Sequence, residues 1–162
     1  MARVQFNLEY FFDAPAQVVF EELVDWKGHE NWIPSTQVEI HTSGDPAAPG
    51  AEFTAWTGLA LGTTIGRKLS LQDRMRVESS HFDDLTQVGE CKVEKIGPLL
   101  TGWAAFTVEQ LSGETSSKTR MHWVEDVKVP YAPQFVAPVG AVIGKNGFLF
   151  GMRQLEKLLA SR

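Results

Sequence analysis

Residues 133–162 read PQFVAPVGAVIGKNGFLFGMRQLEKLLASR, and this stretch decides the fold. It predicts one long helix from Pro133 to Arg162. Gly140, Gly144, Gly147 and Gly151 recur at spacings of four, three and four, which at about 100° per residue puts them on one side of a helix. Phe148, Met152, Leu155 and Leu159 repeat the same spacings beside them. A glycine in a helix interior costs roughly 1 kcal/mol against alanine, so four on one face need a reason. Two reasons stay open: close packing of another backbone against the helix, or a face left bare so that a cavity remains where the helix crosses a sheet.

Outward from this helix, the chain supplies the sheet. Val4, Phe6, Leu8, Tyr10 and Phe12 alternate with Arg3, Gln5, Asn7 and Glu9, the pattern of a half-buried strand. Asp13-Ala14-Pro15 follows, with Pro15 suited to the first position of a helix, and Val18, Val19, Phe20, Leu23 and Val24 continue at helical spacing to about Trp26. A short second helix or turn spans Lys27 to Ile33 and stops at Pro34. Strand-like segments then run over Val38–Ile40, Phe53–Thr57, Lys68–Glu78, Thr86–Ile96, Thr101–Leu111 and Ser117–Val129. Turns at Gly44-Asp45-Pro46, Pro49-Gly50, Gly58, Gly97-Pro98, Ser112-Gly113 and Pro130 separate them. Strands joined by short turns pair antiparallel. Thirty helical residues would reach roughly 45 Å, enough to cross such a sheet. The expected architecture is α+β: a seven-stranded curved antiparallel sheet around a long C-terminal helix, with two short helices after the first strand.

Composition narrows the function classes. A chain of 162 residues is expected to form a single domain, 1–162. A net charge of −5 with no basic run longer than two residues argues against nucleic acid as a partner. The single cysteine, Cys91, precludes an intrachain disulfide and fits a reducing compartment. No run of about 18 apolar residues marks a membrane span, and Met1–Asp13 lacks the pattern of a signal peptide. A cytoplasmic protein, monomer or homodimer, is expected.

Several local patterns are similar to one known group. Asp13-Ala14-Pro15 with Val18-Val19-Phe20, the segment Trp26 to Pro34 (WKGHENWIP), Arg74-Met75-Arg76-Val77 and Trp123-Val124-Glu125 occur in the order expected of it. In this order of elements the chain resembles the helix-grip fold of the START and polyketide-cyclase/dehydrase superfamily, which includes the birch-pollen-allergen group. The resemblance covers the whole chain. It implies a cavity between the long helix and the sheet, used by members to bind lipids, sterols, polyketides, quinones or plant hormones. A minority of members catalyse cyclisation or dehydration there, with catalytic residues that differ between members.

Period-two alternation predicts which side chains face that cavity. Leu69, Leu71, Met75 and Val77 share the apolar parity of their strand, and Asp73 sits among them. Met121, Trp123, Val127 and Val129 share another, with Glu125 among them. Cys91 and Val93 point inward, with Lys95 near the end of the strand. Gly102, Ala104, Phe106 and Val108 form the next inward set, leaving Trp103 outward, and Phe53, Ala55 and Thr57 line a further wall. Two carboxylates, Asp73 and Glu125, are therefore expected in an apolar interior. Burial raises the pKa of such groups and a cation such as Arg67 or Lys95 lowers it. They are candidates to orient a ligand or to act as general acid or base, against the plainer reading of rim residues satisfied by other polar groups.

The expected binding set is Phe53, Leu69, Asp73, Met75, Cys91, Val93, Phe106, Trp123, Glu125, Gly144, Phe148 and Met152, and the expected partner is a hydrophobic small molecule such as a lipid or polyketide. No cofactor is expected. His29, His41, His81 and His122 are scattered, so no metal site is expected. Cys91 reads as a small buried hydrophobe. The apolar, glycine-bounded segment Gly58–Gly62 reads as a tight connection or as part of a cavity entrance. Trp32 and Trp123 are expected in the core or the cavity wall, and Trp56 and Trp103 in exposed patches that would favour a protein-interaction role. Binding or transport of an apolar molecule is the leading reading, with a cyclase, aromatase or dehydratase and a chaperone-like module as alternatives.

Overall fold

The computed structural model describes residues 1–112 and 117–162. Its strands are β1 (Ala2–Phe12), β2 (Thr36–Ile40), β3 (Glu52–Thr57), β4 (Leu71–Asp83), β5 (Val88–Ile96), β6 (Thr101–Gln110) and β7 (Thr119–Val129). They form one seven-stranded antiparallel sheet in the order β1-β7-β6-β5-β4-β3-β2. Helix α1 (Ala16–Val24) follows β1, a 3-10 turn (Lys27–Asn31) follows α1, and α3 (Ala137–Ala160) closes the chain after a second 3-10 turn (Gln134–Val136). A five-residue helix, α2 (Thr64–Lys68), lies between β3 and β4. The expected turn at Ser112-Gly113 reaches into residues outside those described.

Alternation in β1 buries Leu8 and Phe12 and exposes Glu9. Pro15 stands as the cap of α1, one residue before its expected place within the helix. Helix α1 buries Ala16, Val19, Phe20 and Leu23, the one-sided spacing that a helix needs to cover a sheet. Phe20 meets Phe82 and Phe106 at ring-centroid distances of 5.5 and 6.0 Å. In the 3-10 turn, Trp26 stacks on Phe53 with centroids 4.5 Å apart, and Trp32 packs under Gly151 of α3. This end of the concave face is closed, and Met152 and Leu155 of α3 are fully buried in it.

The other end is open. The N-terminal half of α3 presents Val139, Val142 and Ile143 to solvent, each at least 60% exposed. By length and composition alone α3 could cross a membrane, but Gly140 and Gly144 rest on β1, and Gly151, Met152 and Leu155 are buried in the core. Three of the four glycines bear out close packing. A side chain at Gly140 would meet Val4, one at Gly144 would come within 2.8 Å of the Phe6 ring, and one at Gly151 would touch Trp32. Gly147 lies between Gly144 and Gly151 on the same face, yet it is exposed and a Cβ there would meet nothing within 4 Å. Packing and open space thus coexist along one helix face.

The structure corrects the reading of β4. Leu69 is not an inward strand residue: it follows α2 and is 82% exposed. Thr63 caps α2 by accepting from the Gly66 amide at 3.0 Å, and Arg67 and Lys68 complement the helix C-terminus. Alternation across Lys68-Leu69-Ser70-Leu71 continues by coincidence through the helix end. A helix of little more than one turn is too short to show a period of its own. At its far end β4 runs on to Asp83, because a bulge between Val77 and Ser79 shifts the register and masks the continuation.

His29 makes the fold acid-sensitive. Its Nε2 lies 2.9 Å from the Leu23 carbonyl inside the core, and burial pulls its pKa from 6.5 down to about 4. The neutral ring is favoured in the folded state, so its contribution is fully present above pH 6.5 and is lost as pH falls towards 4. That window corresponds to about 3 kcal/mol. His29→Gln keeps a donor for Leu23, so denaturation midpoints between pH 7 and pH 4 should fall less steeply in the variant than in the parent. Parallel slopes would show that His29 does not titrate in this window.

Candidate functional site

Strand register assembles the site in rows across the concave face. One row runs Val4, Val127, Gly102, Lys95, Met75 and Phe53. The next row inward holds Phe6, Glu125, Ala104, Val93 and Val77. Outward come Asp73 opposite Ala55 and then Leu71 opposite Thr57. Exposure follows this order. Leu71 is 48% exposed and Thr57 is exposed, Asp73 and Ala55 are half-buried, and Lys95 and Phe53 are buried. Asp73 and Lys95 therefore sit at a neck between an open rim and a closed interior.

At that neck the Lys95 ammonium donates a hydrogen bond to Asp73 Oδ2. It also lies 3.8 Å from Glu125 Oε1 and 3.9 Å from Met75 Sδ. The Trp123 indole N–H donates to Glu125 Oε1 at a long 3.4 Å. The second Asp73 oxygen, Oδ1, is buried and has no partner among the described residues. Lys95 and Glu125 are 5% and 7% exposed. Burial alone would discharge Lys95, but the charges of Glu125 and Asp73 outweigh it and hold its pKa above the ordinary lysine value. Burial pushes the Glu125 carboxyl up, the Lys95 charge opposes this, and the Asp73 charge adds to it. The cluster holds one cation for two carboxylates.

The inward placement of Asp73 and Glu125 agrees with the sequence reading, and of the two proposed cations it is Lys95 that meets them. Arg67 lies on the opposite face, 4.9 Å above the Trp56 ring and 3.6 Å from Glu39. Lys95 itself was signalled only by a lysine falling on the parity of Cys91 and Val93. Deeper in, the expected wall residues pack on one another. Phe106 stacks on Trp123 at 5.2 Å, Trp123 meets Phe148 at 4.8 Å, and Phe148 meets Phe6 at 5.8 Å. Gly144 faces this column through Phe6, and Val93 and Met152 are buried beside it. Cys91 is 3% exposed in the same core, where burial raises its thiol pKa to about 12 and disfavours the reactive thiolate. Met75 joins the charged cluster, whereas Leu69 is remote from it.

A surface pocket of about 580 Å³ lies on the convex face, under the segment that carries α2. Its floor is Trp56 and Gln72, paired across β3 and β4, with Leu61 and Arg67 beside them. The Gly58–Gly62 connection thus leads over the outside of the sheet. Trp56 is half-covered there, and Trp103 is half-buried with Lys92 5.8 Å from its ring. Neither makes a broad exposed apolar patch. Asp126 is also buried, but on the convex side, where Arg3 and Gln5 satisfy it. The buried cluster with an unpartnered oxygen is on the concave side, and the site is placed there. Among the described residues no group of histidine, cysteine and carboxylate side chains could hold a metal ion.

No family model and no curated protein matches the chain. Solved structures do. Ara h 8.0201 is similar with a TM-score of 0.62 and 15% identity, over 99% of this chain and 100% of that one. The Zhui aromatase/cyclase from Streptomyces sp. R1128 is similar with a TM-score of 0.61 and 16% identity, over 96% of this chain and 92% of that one. A Thermobifida fusca protein solved by solution NMR gives 0.59 and 19%, over 96% and 91%. At these identities the likeness is one of fold.

Proposed function

From a helix-grip fold with a charged cluster at the neck of its concave face, we propose that this protein binds one apolar small molecule between α3 and the sheet. The molecule's apolar body lies against the concave side chains, and Lys95, Asp73 and Glu125 fix its polar end. The observation that carries this reading is the position of the cluster. Buried ionic groups are costly unless satisfied, and this one stands where the open rim narrows into an aromatic interior, with one carboxylate oxygen unpartnered. Apolar sites with a few convergent polar groups are the usual form of small-molecule pockets. Gly147, exposed and with nothing within 4 Å of an added Cβ, is the one glycine of that face with open space beside it. The buried Cys91 thiol is compatible with work in the cytoplasm.

Native mass spectrometry of the purified protein, followed by solvent extraction, tests the reading. A stoichiometric apolar adduct is the expected result. Gly147→Leu sharpens it. With nothing within 4 Å of the added Cβ and roughly 1 kcal/mol of helix propensity recovered, the variant should melt no lower than the parent. It should also lose most of the adduct if the molecule lies along this face of α3, because the new side chain would fill the open space there. Full retention of the adduct would place binding elsewhere.

A proton-transfer role has one observation in its favour: burial lifts the Glu125 carboxyl, and a general acid needs a pKa near the working pH. One fold neighbour is an aromatase/cyclase. Glu125→Gln separates the readings once the bound molecule is known, since an enzyme loses turnover and keeps binding, whereas a carrier changes only in affinity.

A further inference from the structure

The charge and hydrogen-bond inventory of the neck restricts what the bound molecule can present there, and this step rests on the binding reading above. Lys95 is already matched: it hydrogen-bonds one Asp73 oxygen and faces Glu125. Each ionised carboxylate offers about four acceptor positions, and the donors turned towards them are the Lys95 ammonium and the Trp123 indole. Acceptors exceed donors, and the excess is localised at Asp73 Oδ1, buried and without a partner among the described residues. A carboxylate or phosphate on the ligand would bring a third anion to a single cation in a site of low dielectric, where like charges repel strongly. An ammonium would match the second carboxylate in charge, but at Asp73 Oδ1 it would stand beside the Lys95 ammonium that already hydrogen-bonds the other oxygen of the same carboxylate.

We infer that the molecule held at this neck is an apolar alcohol or phenol whose neutral hydroxyl donates to Asp73 Oδ1, and that apolar anions are excluded. A hydroxyl is both donor and acceptor, so it can give its proton to Asp73 and accept one from Lys95. Asp73 is half-buried between the exposed Leu71 and the buried Lys95, so the hydroxyl reaches its buried Oδ1 as rim side chains part around it, with the apolar chain still on the concave face.

Calorimetric titration of the intact protein with decanol and with decanoate at neutral pH tests this, because the two probes share a chain and differ in the head group. Decanol should bind at least about tenfold more tightly, the usual weight of a hydrogen bond to a charged group. In Asp73→Asn the preference should shrink to about threefold or less, since the variant loses the acceptor charge and relieves the repulsion of decanoate. Equal affinities in the parent would overturn the hydroxyl assignment and leave apolar binding intact. A preference that persists unchanged in a folded Asp73→Asn variant would overturn the role of Asp73. Binding of neither probe would overturn the binding reading itself, and the inference with it.

Discussion

Replacing Lys95 by methionine should destabilise the protein by about 3–5 kcal/mol at neutral pH. The side chain is 5% exposed and is the only cation within 4 Å of Asp73 and Glu125 among the described residues. Methionine preserves the apolar stem but leaves two carboxylates facing each other at the neck. Breaking a buried ion pair from one side is far costlier than removing it whole. The triple variant Lys95→Met, Asp73→Asn, Glu125→Gln should therefore recover most of the loss. The penalty should also shrink in acid, where the Glu125 carboxyl, pushed up by burial, becomes neutral. Chemical denaturation of the single and triple variants at neutral and acid pH reads both effects. A Lys95→Met variant as stable as the parent would mean that the cluster is hydrated enough to be indifferent to its cation, and the neck would lose its claim to be a site.

Gly102→Ala should cost at least about 3 kcal/mol. Gly102 has φ +123°, and a Cβ there would stand 2.1 Å from the Asp126 carbonyl oxygen of β7. Strain and collision act together in the middle of the sheet, in register with Lys95 and Val127. Relief would require β6 to move away from β7 and would carry Lys95's neighbours with it. Gly44 provides the comparison: its φ is +107°, but nothing lies within 4 Å of an added Cβ. Gly44→Ala should show the conformational strain alone, about 1–2 kcal/mol. The difference in unfolding free energy between the two variants measures the collision. Equal losses would show that β6 yields without disturbing β7.

These two sites show how the legible part of the chain differs from the rest. Asp73 and Glu125 were placed on the inner face by period two alone, because alternation along a strand is a local property. Trp123 falls on the same inward parity and is 5% exposed, whereas Trp32, expected inside without any strand period to place it, is 2% exposed. Lys95 could be named as a neighbour but not distinguished from Arg67. Which cation meets a carboxylate depends on the register between strands, and the Met75–Lys95 and Gly102–Lys95 pairings bring it about. Leu69 was misplaced because α2 is too short to show a helical period.

By itself the sequence determined the order of the seven strands and of the first and last helices, the inward parity of the strands outside the α2 segment, and the presence of a long helix with a bare glycine face. Each follows from spacing along the chain. The tertiary structure decided what that face does. Gly140, Gly144 and Gly151 admit Val4, Phe6 and Trp32, whereas Gly147 faces open space, a distinction that depends on where β1 and the 3-10 turn lie relative to the helix. It also decided that two carboxylates share one ammonium at the neck of the fold, since the balance of burial against charge exists only once distant strands are in register.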